Sequence, residues 1–229
     1  MRNIDSYITE KLKLNKDSVG QQYNYHPKNP DELWDIINNL LVERGENADL
    51  NDIDVSAITD MSGMFYKQYP GKIDISKWNV SNVTNMAKMF YRCQDFNCDL
   101  SAWDVSNVEN MESMFCNCLN FNSDLSQWDI SKVKNAEDMF FGCDIFESDL
   151  SKWNPKSLEE ASRMFRGCTE FNSDLSGWDV SSIRYAFHMF CNCIHLNCDF
   201  SKWDMGNAYK IDGIFQGCDS LKKIPYWCN

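Results

Sequence analysis

No run of 18 consecutive apolar residues occurs in the 229-residue chain, which excludes a membrane-spanning helix of ordinary length. The opening stretch MRNIDSYITEKLKLNK has no continuous apolar core, so it does not read as a secretory signal, and no lipidation cysteine stands near it. Basic residues are scarce. Lys and Arg total 22 against 34 Asp and Glu, a formal charge of −12, which argues against a nucleic-acid backbone or an anionic membrane as the main partner. Glycine is limited to 10 residues, too few for the Gly-rich turns of a calcium-binding β-roll. His26, His188 and His195 share no common spacing, and there is no P-loop, Gly-x-Ser-x-Gly or His-x-x-x-His. Catalysis therefore has no residues to rest on, and the expectation is a non-enzymatic chain without cofactor or resident metal.

What the sequence does have is a period. Trp recurs at Trp78, Trp103, Trp128, Trp153, Trp178 and Trp203, Cys at Cys93, Cys118, Cys143, Cys168, Cys193 and Cys218, and Phe at every 25th position from Phe65 to Phe215. Ser76 to Ser201 and Asp74 to Asp199 keep the same interval. A degenerate copy, Asp49 to Ile73, precedes these, giving seven copies in all, with a fragment of an eighth from Ile224. Self-similarity on this scale marks stacked repeats, in which one unit cannot bury its own apolar face and needs neighbours.

Within a unit, Leu100-x-x-Trp103-x-Val105-x-x-Val108 follows the L-x-x-L-x-L frame and predicts a short parallel strand over Trp103 to Val105. Val108, Met111, Met114, Phe115 and Cys118 then fall at helical spacing, and Ser106 with Glu109 resembles a capping box at the start of that helix. The fold expected is α/β, a leucine-rich-repeat-like solenoid with short parallel strands and one short helix per 25-residue repeat. Pro155 in Trp153-Asn154-Pro155 removes a backbone donor, which a strand tolerates at its margin.

The unit is similar to the repeats of the BspA-like leucine-rich-repeat surface proteins, the DUF285 family, whose hallmark is close to WDVSNVTNMxxMFxxCxxFNxDLS. Here WNVSNVTNMAKMFYRCQDFNCDLS runs from Trp78 to Ser101, and the likeness extends from about Asp49 to Leu221. The resemblance implies the repeat fold. It implies little about function, because a scaffold does not fix what it binds. Surface attachment, typical of that family, is not expected without a signal. The segment SYITEKLKLNK is similar to short leaders on proteins of crAss-like phages, which adds a virion-associated location to the cytoplasmic one.

Four segments are expected. Residues 1–28 form an N-terminal helix (residues 1–14) and a linker, and residues 29–48 form a capping helix. The seven-repeat solenoid occupies 49–223, and 224–229 close it with Tyr226 and Trp227. The capping helix is read from Asn29, Pro30, Asp31 and Glu32 at its start and Gly45 past its end. Its residues Leu33, Trp34, Ile36, Ile37, Leu40 and Leu41 are apolar over much of the circumference and demand cover, best supplied by the open end of the first repeat.

The periodic columns invite chemical readings. The 11 cysteines, Cys116/Cys118 and Cys191/Cys193 among them, suggest a metal or disulfide ladder, yet zinc needs four ligands converging on a point. The reading adopted is reduced, buried thiols. The aspartates are read as turn caps bonding their own backbone, with inter-coil calcium as the alternative. The tryptophans occupy the frame's core slot, with an exposed stacking platform as the alternative. Beside them run the columns expected to face solvent: Lys77, Ala102, Gln127, Lys152, Gly177 and Lys202 on one flank, Asn79, Asp104, Asp129, Asn154, Asp179 and Asp204 on the other. These form the candidate partner-binding face. The function expected is a protein–protein interaction module presenting a rigid repeat surface. A structural or assembly component, for instance of a phage particle, and a surface adhesin are the alternatives.

Overall fold

The computed structural model describes residues 22–67 and 71–228; the helix expected over residues 1–14 lies outside them. The first element is α1, Pro30–Arg44. Asn29 caps it through its side-chain oxygen, which accepts the Glu32 N–H at 2.9 Å, while the Glu32 carboxylate accepts the Lys28 N–H at 2.9 Å. One N–H that the helix start leaves orphaned, that of Glu32, is thus satisfied, and the Glu32 carboxylate in return fastens the chain just before the cap. At the other end Gly45, at φ 79°, donates its N–H to the Leu41 carbonyl. Leu33, Ile37 and Leu40 are buried on one stripe of α1, and Trp34 and Val42 remain exposed. The cover is therefore one-sided. Arg44 fixes the helix to the first coil with a two-pronged bond to Asp52, at 2.8 and 2.9 Å.

From Asp49 the chain winds in coils that lie in register. Isolated parallel bridges join Asp60 to Asn85, Asn85 to Asn110, Asn110 to Asn135, Asn135 to Glu160, Glu160 to Tyr185 and Tyr185 to Lys210. The segment after each bridge divides its donors by parity. Met111, Ser113, Phe115 and Asn117 donate their N–H groups to Asn135, Glu137, Met139 and Phe141 of the next coil, whereas Met114, Cys116 and Cys118 turn back to Met111, Ser113 and Phe115. A single stretch of backbone is thereby tied both to itself and to its neighbour, as buried peptide groups require.

This arrangement overturns the α/β leucine-rich-repeat reading. Among the described residues α1 is the only α-helix, there is no multi-residue strand, and no repeat carries a helix of its own. The segment from Met111 to Cys118 is a run of overlapping turns, with Ser113 and Asn117 at φ 54° and 58°. An α-helix holds φ near −63° and sends each N–H four residues back, so left-handed residues and inter-coil donors rule it out. The helical spacing misled because overlapping turns also send Met111, Met114, Phe115 and Cys118 inward. Parallel pairing sits at Asn110 and not at Trp103 to Val105, where Trp103 instead donates to Leu100 in a turn. Ser106 does not start a helix: its N–H goes to Asp104, and Glu109 bonds Lys134 of the next coil. Pro155 costs no hydrogen bond, because the N–H of its counterparts Val80, Val105, Ile130 and Val180 has no backbone acceptor among the described residues.

The interior is built from identical side chains stacked on themselves. Rings from Phe65 to Phe215 follow one another at 5.4 to 5.7 Å, nearly parallel. Phe96, Phe121, Phe146 and Phe171 form a second column at 5.9 to 6.0 Å. Each fully buried phenylalanine contributes about 1.5 to 3 kcal/mol from apolar burial, with offset stacking adding about 0.5 to 1.5 kcal/mol per pair. The described residues close with a short 3-10 turn, Tyr226–Cys228, where Trp227 stacks on Trp203 at 6.4 Å. No helix of the described residues is long and apolar enough to cross a membrane.

Candidate interaction face

Backbone alternation decides what faces out. Along Ile75 to Val80 the residues Ile75, Trp78 and Val80 are buried while Lys77 and Asn79 are exposed, and the following coils repeat this alternation. The six periodic tryptophans, Trp78 to Trp203, are core residues. Each indole donates its N–H to a carbonyl 28 residues earlier: Trp103 to Ile75, Trp128 to Leu100, Trp153 to Leu125 and Trp178 to Leu150, at 2.9 to 3.2 Å. An indole so placed fills space and also satisfies a buried carbonyl of the preceding coil. The stacking-platform alternative is thereby removed.

The cysteines make the same stitch in the second column. Cys118, Cys143, Cys168 and Cys193 lie within 3.0 Å of the Phe90, Phe115, Phe140 and Phe165 carbonyls, as thiol donors. Burial pushes every one of these thiols up from its ordinary range, and it holds Cys98 and Cys198 at about 11 and Cys116 at about 12. Thiols kept protonated are poor nucleophiles and poor ligands. A further device escaped the sequence reading. The N–H of Leu100, Leu125 and Leu150 is taken by the hydroxyl of Ser123, Ser148 and Ser173 in the next coil, and that of Leu175 by the Cys198 sulfur. The only signal for it was the small Ser or Cys at one position of five successive copies, Cys98, Ser123, Ser148, Ser173 and Cys198.

The aspartates cap turns. Asp99, Asp124, Asp149 and Asp174 each accept the N–H two residues on, at 2.9 to 3.0 Å. Side-chain and backbone bonds to Ser101, Ser151 and Ser176 hold the Asp99, Asp149 and Asp174 carboxyls below the usual range.

All members of the two columns named from the sequence, Lys77, Ala102, Gln127, Lys152, Gly177 and Lys202 with Asn79, Asp104, Asp129, Asn154, Asp179 and Asp204, are exposed. The structure brings them together as neighbouring columns on six consecutive coils. The carboxylates there are anchored: Asp104, Asp129, Asp179 and Asp204 accept the N–H of Ser106, Ser131, Ser181 and Gly206. Bonds from the serine side chain and N–H lower the Asp104, Asp129 and Asp179 carboxyls. Among the described residues Lys77, Lys152 and Lys202 have no such tether, Gln127 donates to the Ser126 hydroxyl, and Asn154, beside Pro155, makes no side-chain hydrogen bond. Clefts elsewhere in the stack are lined by other residues. The clefts lie at the N-terminal coils, along the Asn97 to Asp124 edge and at the C-terminal end. A group of residues absent from the sequence reading, Tyr66, Lys67, Tyr91 and Arg92, borders the first of them.

Comparison with known proteins adds one finding. A family profile described as "Mycoplasma protein of unknown function, DUF285" matches residues 37–150 and again residues 121–227. No curated protein and no solved structure matches the chain. Together the two matches cover the coil stack, and the chain belongs to the DUF285 family.

Proposed function

We propose that the chain is a non-enzymatic binding scaffold whose lysine and aspartate columns engage a protein partner. The observation that carries this reading is the fixed register of those columns: the aspartates are tied by their own turns, and the buried indole between the two columns donates to a carbonyl of the preceding coil. A surface already ordered loses little conformational entropy on binding. Alternating rows of Lys77, Lys152 and Lys202 beside Asp104, Asp129, Asp179 and Asp204 offer charge complementarity, which sets register and partner choice.

The test is a triple charge reversal, Lys77→Glu with Lys152→Glu and Lys202→Glu, which touches no turn cap. Proteins retained from the native source by the parent chain are expected to be lost by the variant at unchanged melting temperature. Retention of the same partner by the variant would sink the reading. Light scattering on the isolated chain separates the module from an assembly component, because self-association through this face, abolished by the same reversal, points to the latter.

A further inference from the structure

Two backbone positions of every coil sit in the left-handed region. One of them holds Asn117, Gly142, Gly167, Asn192 and Gly217, at φ between 58° and 79°, the residue types that tolerate it. The first two coils depart from this. Lys67 stands there at φ 55° and Arg92 at φ 61°, side chains for which the conformation is unfavourable. Strain kept at a position where neighbouring coils use Gly or Asn points to a use for the side chain.

The surroundings say what use. Lys67 and Arg92 line one cleft of about 440 Å³ together with Gln94, Asn117 and Leu119, and no carboxylate is among those lining residues. Cations at the other left-handed position are neutralised within the chain: Lys88 pairs with Glu112 at 2.8 Å, and Arg163 with Glu137 and Asp138 at 2.6 and 2.8 Å. Lys67 and Arg92 pair with no carboxylate among the described residues, in a chain with 34 acidic residues to 22 basic. They are held by aromatic rings instead. The Lys67 ammonium lies 4.9 Å from the centre of Tyr66, the Arg92 guanidinium 5.4 Å from that of Tyr91, and the two tyrosines stack at 5.0 Å. Asp95, next in the chain to Gln94, lines the neighbouring cleft with Glu46 and Asn120.

We infer that this cleft binds the carboxylates of an acidic peptide segment. The cations are positioned by ring faces and keep their hydrogen-bonding capacity for an incoming anion, with Arg92 suited to a two-pronged carboxylate contact. Gln94 and Asn117 add amide groups, and Leu119 gives the segment an apolar floor. A phosphate site built on backbone donors is disfavoured, because the N–H groups of Lys67 and Arg92 are committed to Tyr91 and Cys116. The site lies on different columns from the lysine and aspartate face, so it stands or falls independently of it.

The experiment measures binding of a fluorescent octaglutamate peptide to the full chain, against octaserine, with the double variant Lys67→Asn and Arg92→Asn. Asn already serves at the equivalent Asn117 and Asn192, so the variant is expected to melt at the same temperature or higher. The expected result is salt-sensitive octaglutamate binding that weakens about tenfold or more in the variant. Octaglutamate bound no tighter than octaserine, or bound equally by the variant, overturns the inference. Displacement of the peptide by inorganic phosphate at equal charge concentration overturns it as well, in favour of a phosphate ligand.

Discussion

The two ends of the stack are closed by different means. At the N-terminal end Met61 and Phe65 are 0 % exposed, and α1 lays Leu33, Ile37 and Leu40 into the same core. At the C-terminal end Phe215 and Cys218 are each 9 % exposed, Ile211 is only half-buried, and a cleft of about 560 Å³ opens between Phe215, Ile224 and Trp227. The backbone is asymmetric too. Ala186, His188, Phe190 and Asn192 donate to Lys210, Asp212, Ile214 and Gln216 of the last full coil, whereas Ile211, Gly213, Phe215 and Gly217 find no backbone acceptor for their own N–H groups among the described residues. A coil stack ends well when a helix covers its apolar side chains. One tryptophan continuing the indole column covers only part of them.

Substitutions along the stack put this contrast to the test. The largest effect is expected in the middle, where Trp128→Ala removes a buried indole and orphans the Leu100 carbonyl; a loss of about 3 to 5 kcal/mol in denaturant unfolding is expected, and an unchanged midpoint would contradict the core assignment. Ile37→Ala, under the cap, should cost about 2 to 5 kcal/mol by the same cavity argument. Trp227→Ala, at the half-open end, should cost no more than about 1 to 2 kcal/mol, and a loss equal to that of Trp128→Ala would erase the difference between the ends. Hydrogen exchange should show the amides of Ile211, Gly213, Phe215 and Gly217 exchanging well before those of Ala186, His188, Phe190 and Asn192.

Two smaller effects concern titration and thiols. The Arg44 bond holds the Asp52 carboxyl below its ordinary range, ahead of the opposing effect of burial. Its stabilising contribution is therefore full above the ordinary carboxylate pKa of about 4 and is lost as pH falls through the lowered folded value. Acid should loosen α1, and Asp52→Asn should remove that part of the pH dependence when helix signal is followed against pH. Among the cysteines, Cys228 alone is half-buried and the other ten are buried. A thiol reagent is expected to label Cys228 first in the native protein and the rest only on unfolding.

Much of the candidate face was legible because it depends on parity alone. Once Trp103 and Val105 point inward, Ala102 and Asp104 must point out, whatever the backbone does afterwards. The capping of α1 was legible for a similar reason: Asn29, Glu32 and Gly45 act on groups within a few residues of themselves. The secondary structure of the repeat was not. The interval between Met111 and Cys118 fits a helix and a series of turns equally well, and the choice depends on whether every second N–H finds an acceptor in the next coil. The Tyr66, Lys67, Tyr91 and Arg92 cluster was missed because it breaks the period instead of keeping it. Only the φ values of its column reveal that Lys67 and Arg92 stand where Gly and Asn belong.

The sequence by itself determined the period, the number of coils, which columns are interior and how α1 begins and stops, since each of these follows from residue spacing and local hydrogen bonding. The tertiary structure alone decided that a coil is held by alternating turns and isolated bridges, that indoles and thiols satisfy carbonyls 28 residues away, and that two cations share a cleft free of carboxylates. Those outcomes rest on acceptors and neighbours supplied by an adjacent coil, and a linear string of residues does not specify where an adjacent coil will place them.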